Sequence, residues 1–263
     1  MSLYDVEGNT VSTFYGKSGS STTSLYDVYG SSLTGEDLAS AATKVQTIYT
    51  ASISGIPEGG CIGPDHTAVA CFYNTGIFIV YDLSAGTVTQ KSFTGNAYGH
   101  ANGMTYNPNT ERYYIAAMNN AGDVFVLDKT LDLVGTLTTR DHNGMAFNSW
   151  NIAYNRKTQQ FISLAENYIY FYNNNMDLVK SIPYDGSDWA LTRQDIETDG
   201  EYIYAVSSGP NNLYTFSMSG VYVKAVSTIV FGGEPESLMY DWTNGKYYME
   251  GSGFSIIELA FKS

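Results

Sequence analysis

A landmark recurs five times along this chain, and its spacing constrains the fold more than any other feature. Asp65 closes CIGPD, Asn107 closes MTYN, Asn155 closes IAYN, Asp199 closes IETD and Asp241 closes LMYD, at intervals of 42, 48, 44 and 42 residues. Each landmark is followed by an apolar or aromatic run: AVACFY, YYIAAM, QFISLA, YIYAVS, KYYMEG. A further run then follows: IFIVYD, VFVLD, YIYFYN, LYTFS, FSIIEL. Residues 98–139 display one whole unit. Strands are predicted over residues 103–106, 113–118, 124–128 and 133–138, the third with period-2 alternation. Turns are predicted at 107–110, where Pro108 presets φ, and at 119–122. Nothing in the unit has helical spacing. A period in the low forties with four strands per unit is the signature of a β-propeller. One blade cannot bury both of its faces, so blades stack around an axis. The expectation is all-β: a five-bladed β-propeller of four-stranded antiparallel blades.

The fifth unit lacks a fourth strand before the chain ends. Residues 44–52, KVQTIYTAS, have strand chemistry and belong to no unit. They are expected to pair with residues near 254–261 and close the ring, removing two exposed edges. The propeller is therefore assigned to residues 44–263 and an attachment segment to residues 1–43. That segment is rich in Gly, Ser and Thr and carries a duplicated LYDVxG at residues 3–8 and 25–30. Residues 36–42 suit a short helix, with Thr34 as N-cap and Asp37 in the capping-box position.

Composition narrows the function. Of 263 residues, 43% are hydrophobic, enough for the core of one large all-β domain. Thirteen basic against 26 acidic residues give a formal charge of −13, which argues against nucleic acid and against a basic membrane-binding patch. No apolar run approaches the roughly 20 residues of a membrane-spanning helix, so no membrane insertion is expected. The opening MSLYDVEGNTVS has neither the basic region nor the apolar core of a signal peptide. A protein of this kind that works outside the cell leaves the cytoplasm by another route, such as lysis or assembly into a particle. Cys61 and Cys71 flank the first landmark and are expected to face each other across two strands. They read as small buried thiols, with a strained cross-strand disulfide as the alternative.

In a propeller the innermost strands run side by side along the axis, so residues just before the landmarks converge on one opening. Counting back five gives Gly60, Asn102, Trp150, Gln194 and Glu236, with Glu58, His100, His142, Asn143, Asp195 and Glu234 nearby. Amides, carboxylates and imidazoles in one ring can bind a sugar, hold a calcium ion or do acid–base work. They can equally line an axis that binds only water. No HExxH zinc spacing, phosphate loop or GxSxG elbow occurs, and no cofactor other than calcium is suggested. The third unit carries extra residues after His142, and Phe147 and Trp150 are expected to lie exposed there.

The string GHANGMTYNPNTERYYIA, with QDIETDGEYIYAVSSGPNNLYTF and GEPESLMYD, resembles tail-associated and minor structural propellers of phages that infect Gram-positive bacteria. LYDVEGNTVS resembles the openings of phage tail and receptor-binding proteins. The resemblance implies a virion component that recognises a host cell-surface glycan or protein through His100, Asn102, Trp150, Gln194 and Glu236. Residues 1–43 would then contact other tail subunits, and the module is open to forming a homo-oligomer. The architecture also resembles glutaminyl cyclase-type five-bladed enzymes in general, without matching their catalytic residues. An axial-pocket enzyme, cyclising or carbohydrate-cleaving, is the second expectation. A buried carboxyl of raised pKa would favour the enzyme, and a shallow rim with exposed Trp150 would favour binding.

Overall fold

The computed structural model describes residues 25–26, 32–33, 42–50, 56–72, 76–93, 99–118, 122–147, 150–165, 167–184, 193–209, 211–228, 234–251 and 255–261. A two-stranded pair, β1 (Leu25–Tyr26) and β2 (Ser32–Leu33), precedes β3 (Ala42–Thr50). The first blade is β4 (Pro57–Ile62), β5 (Thr67–Phe72), β6 (Ile77–Asp82) and β7 (Thr87–Ser92). The second is β8 (Gly103–Asn107), β9 (Arg112–Ala116), β10 (Asp123–Asp128) and β11 (Leu133–Thr138). The third is β12 (Ala153–Asn155), β13 (Gln160–Ala165), β14 (Tyr168–Tyr172) and β15 (Leu178–Pro183). The fourth is β16 (Arg193–Thr198), β17 (Tyr202–Ser207), β18 (Asn212–Ser217) and β19 (Tyr222–Ser227). The fifth is β20 (Pro235–Asp241), β21 (Lys246–Gly251) and β22 (Ser255–Phe261), completed by β3. Every pairing is antiparallel, and β22 pairs β3 from Ser255↔Thr50 to Phe261↔Ala42. The five-bladed ring and its closure by an N-terminal strand are thus as expected. β3 begins at Ala42, two residues before the expected boundary. The rest of the helix expected over residues 36–42 lies outside the described residues.

Period-2 alternation builds the ring. On β9, Tyr113 and Ile115 pack with Cys61, Val69 and Phe78 of the first blade. Tyr114 and Ala116, one residue out of phase, pack with Tyr154, Phe161 and Tyr170 of the third. The same alternation makes a cluster at each remaining junction: third with fourth, fourth with fifth, fifth with first. A strand with both faces buried must be apolar throughout, so the period-2, one-faced packing expected for residues 124–128 is corrected: Val124 to Leu127 are all buried. Phe161 is fully buried between two blades, and truncating it to Ala should cost about 3–5 kcal/mol. The outer strands β7, β11, β15 and β19 are mostly exposed, and their Thr, Ser and Lys content suits free edges.

The landmark side chains are turn-formers. Asn107 Oδ1 accepts from Asn109 N at 2.9 Å, Asn155 Oδ1 from Lys157 N at 2.9 Å, Asp199 Oδ1 from Glu201 N at 2.8 Å and Asp241 Oδ1 from Thr243 N at 2.8 Å. Each mimics a backbone turn. In the first blade Asp65 and His66 instead hold left-handed backbone themselves, at φ 54° and 61°. The inner strands approach closely: a Cβ on Gly103 would lie 2.6 Å from Asn151 Cα of the third blade, so no side chain fits there.

Two further expectations are corrected. Cys61 and Cys71 are free and buried, but they do not face each other. Cys61 pairs in register with Val69, and Cys71 with Phe78. The hairpin register sets them two residues apart, since Gly60 pairs with Ala70, and Cys71 Sγ donates to Gly59 O at 3.1 Å. Phe147 and Trp150 are half-buried rather than exposed, and Phe147 packs on Tyr170 with ring centroids 4.8 Å apart. The third unit's extra residues form a compact bridged turn, with Arg140 opposite Ala146 and Asp141 N donating to Met145 O at 2.8 Å.

Candidate functional site at the axial mouth

The inner strands β4, β8, β12, β16 and β20 start at one end of the axis and finish in the landmark turns at the other. At the starting end, residues from four blades meet. Asn102, immediately before β8, donates through Nδ2 to Gln194 Oε1 at 2.9 Å. Gln194, on β16, donates through Nε2 to Glu236 Oε2 at 2.9 Å and reaches Glu234 Oε1 at 3.5 Å. Glu58, on β4, pairs with His100 Nε2 at 2.7 Å. Three of the five counted positions, from the second, fourth and fifth blades, are therefore one hydrogen-bonded chain.

This chain is not the solvated rim that position alone suggested. Asn102 and Glu236 are each 2% exposed. Closing a ring of only five blades brings the inner strands so near each other that Glu58, Asn102 and Glu236 are covered by their neighbours. Glu236 accordingly has its pKa pushed up to about 10, first by burial and then by the nearby carboxylates of Glu58, Glu234 and Glu250. No lysine or arginine is among the groups acting on it. It stands as a neutral carboxylic acid at pH 7. Asn102 Oδ1 is buried without a hydrogen-bond partner among the described residues. A buried carbonyl oxygen left in that state is an acceptor available to a bound ligand.

Glu250 lies behind this group on β21. It is fully buried, accepts from Ser237 Oγ at 3.0 Å, and is held well above the usual carboxylate range by burial. A Cβ on Gly60 would come within 2.8 Å of both Glu250 Oε2 and Ser237 Oγ, so glycine at that counted position makes room for the acid. Position counting did not find Glu250, because it comes from a second strand. The available signal was a charged residue in KYYMEG, where the other second-strand runs are apolar.

The remaining candidates divide. Asp195 is fully buried beneath the mouth. It accepts from Ile196 N at 2.8 Å and faces the N–H groups of Met104 and Gly60, so it ties three inner strands together. Burial still raises its pKa well above normal. Trp150 is half-buried just before β12, with left-handed backbone at φ 58°. The third blade's Asn151 turns into its own sheet, accepting from Leu164 N at 2.8 Å and donating to Leu164 O at 2.9 Å. His142 and Asn143 bond to other groups. His142 meets Tyr170 Oη at 3.3 Å and packs at a tilt on Tyr168, 4.6 Å between ring centroids. Asn143 contacts Asp141 and His142. Among the described residues no group of three or more His, Cys, Asp or Glu side chains is arranged to hold a metal ion.

No protein-family model and no curated protein sequence matches the chain. Its architecture is similar to that of a bacterial glutaminyl cyclase. The crystal structure of the Myxococcus xanthus enzyme superposes with a TM-score of 0.66 at 12% identity, covering 84% of this chain and 97% of that one. A catalytically inactive virginiamycin B lyase from Staphylococcus aureus with quinupristin superposes at 0.47 and 11% identity, covering 99% and 87%. The first likeness is of fold. The second is too loose to compare blade with blade.

Proposed function

We propose that the protein is an acid–base enzyme whose active centre is the axial mouth, acting on a small substrate rich in amide or hydroxyl groups. Glu236 carries this reading: a buried carboxyl, neutral up to about pH 10, hydrogen-bonded to Gln194 and close to the His100–Glu58 pair. A neutral carboxyl donates a proton, and an imidazole oriented by a carboxylate accepts one. Asn102 and Gln194 supply the amides that fix a carbonyl or hydroxyl group.

The cyclase likeness suggests the first substrate to try, a peptide with an N-terminal glutamine. There the α-amino nitrogen attacks the side-chain carbonyl carbon. A ring N–C bond forms and the C–N bond to the amide nitrogen breaks. His100 takes the proton lost by the amine, and Glu236 gives the proton with which ammonia leaves. The test is ammonia release from glutaminyl dipeptides, with reducing-sugar release from a glycan panel measured in parallel. Turnover by the wild-type protein that is lost in Glu236→Gln and His100→Ala supports the reading. Absence of turnover on both panels defeats it.

A second reading rests on the leader. The duplicated LYDVxG and its resemblance to phage tail openings favour a virion module that works outside the cell. In that case the same mouth holds a host glycan or surface protein without turnover, and residues 1–43 attach to other virion subunits. Saturable binding to host cells with no release of ammonia or sugar would select it.

A further inference from the structure

We propose that the groove between the second and third blades is a binding site for a sugar unit bearing a carboxylate, independent of the axial mouth. The groove has a volume of about 270 Å³ and is lined by Arg112, Tyr114, Gly135, Thr136, Asn174 and Asn175 among others. Residues two apart on a strand share a face. Arg112 therefore follows Tyr114, which packs on Phe161 of the third blade with ring centroids 4.5 Å apart. The guanidinium is thus carried toward the gap between blades.

The Arg112 side chain makes no ion pair or hydrogen bond among the described residues, although acids surround it. Glu111 pairs with Lys129 at 3.9 Å, and Asp132 with Lys91 at 2.8 Å. Asp128 accepts from Thr130 Oγ1 at 2.7 Å and from the N–H groups of Thr130 and Asp132. In a chain of net charge −13, the exposed Arg112 at the edge of this groove is a cation that a bound carboxylate can reach. A planar guanidinium matches a carboxylate with two parallel hydrogen bonds.

The rest of the groove is neutral and suits hydroxyl groups. Asn174 Oδ1 accepts from Asn107 Nδ2 at 3.1 Å, which turns the Asn174 NH₂ group away from that contact. Asn175 and Thr136 add an amide and a hydroxyl, and the buried Tyr114 provides an apolar floor. Gly135 keeps the groove open. A Cβ there would meet nothing within 4 Å, and the backbone is not in the left-handed region, so no local geometry requires glycine.

The test is calorimetric titration of the full chain with glucuronate, galacturonate and N-acetylneuraminate, with glucose as the neutral control. At least one acid should bind saturably, at least tenfold tighter than glucose, and more weakly as salt is raised. Arg112→Gln should weaken that binding at least tenfold, with Arg112→Lys intermediate. Gly135→Leu should abolish it by filling the groove, with an unchanged melting temperature. Glu236→Gln should bind the acid like the wild type. The proposal is overturned if none of the three acids binds saturably, or if Arg112→Gln and Gly135→Leu bind as the wild type does. Loss of binding in Glu236→Gln would also overturn it, by assigning the ligand to the mouth.

Discussion

The two ends of the propeller axis are built from the same five strands and differ in how many donors meet their acids. At the turn end the buried acids are each met by several donors or by a cation. Asp199 Oδ2 accepts from Tyr204 Oη at 2.8 Å and Tyr247 Oη at 2.7 Å, while its other oxygen takes two turn N–H groups. Asp241 pairs with His66. Glu197 has its pKa pushed up to about 8 by burial, against hydrogen bonds from Thr198 N at 2.7 Å and Tyr240 N at 3.3 Å and the charge of Arg156, which lies over the Trp242 ring at 5.5 Å from its centroid. At the mouth, Glu236 receives one amide hydrogen bond and is crowded by three other carboxyl groups. The turn end repeats because each blade needs the same turn. The mouth differs from blade to blade because nothing structural asks its residues to agree. Acids met by several donors stabilise a fold, whereas a neutral acid with one donor at an opening is the kind of group that does chemistry.

Substitutions can break this contrast. The largest effect should come from Glu236→Gln, which keeps the shape and an acceptor for Gln194 but removes the proton. Turnover should fall about 10²- to 10⁴-fold, while the melting temperature at pH 8 holds or rises. Full activity in the Glu236→Gln variant would place the chemistry elsewhere. Asp199→Ala should do the reverse. The buried Tyr204 phenol, the half-buried Tyr247 phenol and two turn amides lose their acceptor, at roughly 2–5 kcal/mol, and the melting temperature should fall by roughly 5–15 °C with the mouth's ligand affinity unchanged.

The pH profile sharpens the same comparison. Glu236 is neutral in the fold up to about pH 10, whereas the unfolded chain ionises it near its ordinary value of 4.5. Between those limits the native state holds a proton that the unfolded state has shed. Stability should therefore fall as pH rises through that window, by about 1.4 kcal/mol per pH unit for this one group. Denaturant titrations at several pH values check this, and Glu236→Gln should flatten the slope by one proton.

Gln194→Ala should be smaller and mixed. It breaks the Asn102–Gln194–Glu236 chain, so ligand affinity should drop about tenfold or more, near 1–3 kcal/mol, with a loss of a few degrees in melting temperature. Calorimetry beside a thermal melt separates the two. Smallest of all should be Lys157→Ala at the turn end. Its 2.5 Å pair with Glu201 is exposed, and the melting temperature should move by no more than about 2 °C.

The five landmarks, the four strands per unit and the missing fourth strand of the last blade were all legible in the sequence, because each is a local or periodic requirement. Turn chemistry at Asn107 or Asp199 depends on neighbours two or three residues away. Burial of both faces writes itself into runs such as YYIAAM. Counting back from the landmarks even identified Asn102, Gln194 and Glu236, since equivalent positions must converge once a ring closes. What the chain could not show by itself was how tightly they converge. Burial of Glu236, the answer of Glu58 by His100, the inward turn of Asn151 and the arrival of Glu250 from a second strand all depend on contacts between residues dozens of positions apart. Electrostatics follows distance in space and exposure to water, neither of which is written in sequence spacing. The repeat determined the ring, and the packing of its inner strands decided which of its acids would keep a proton.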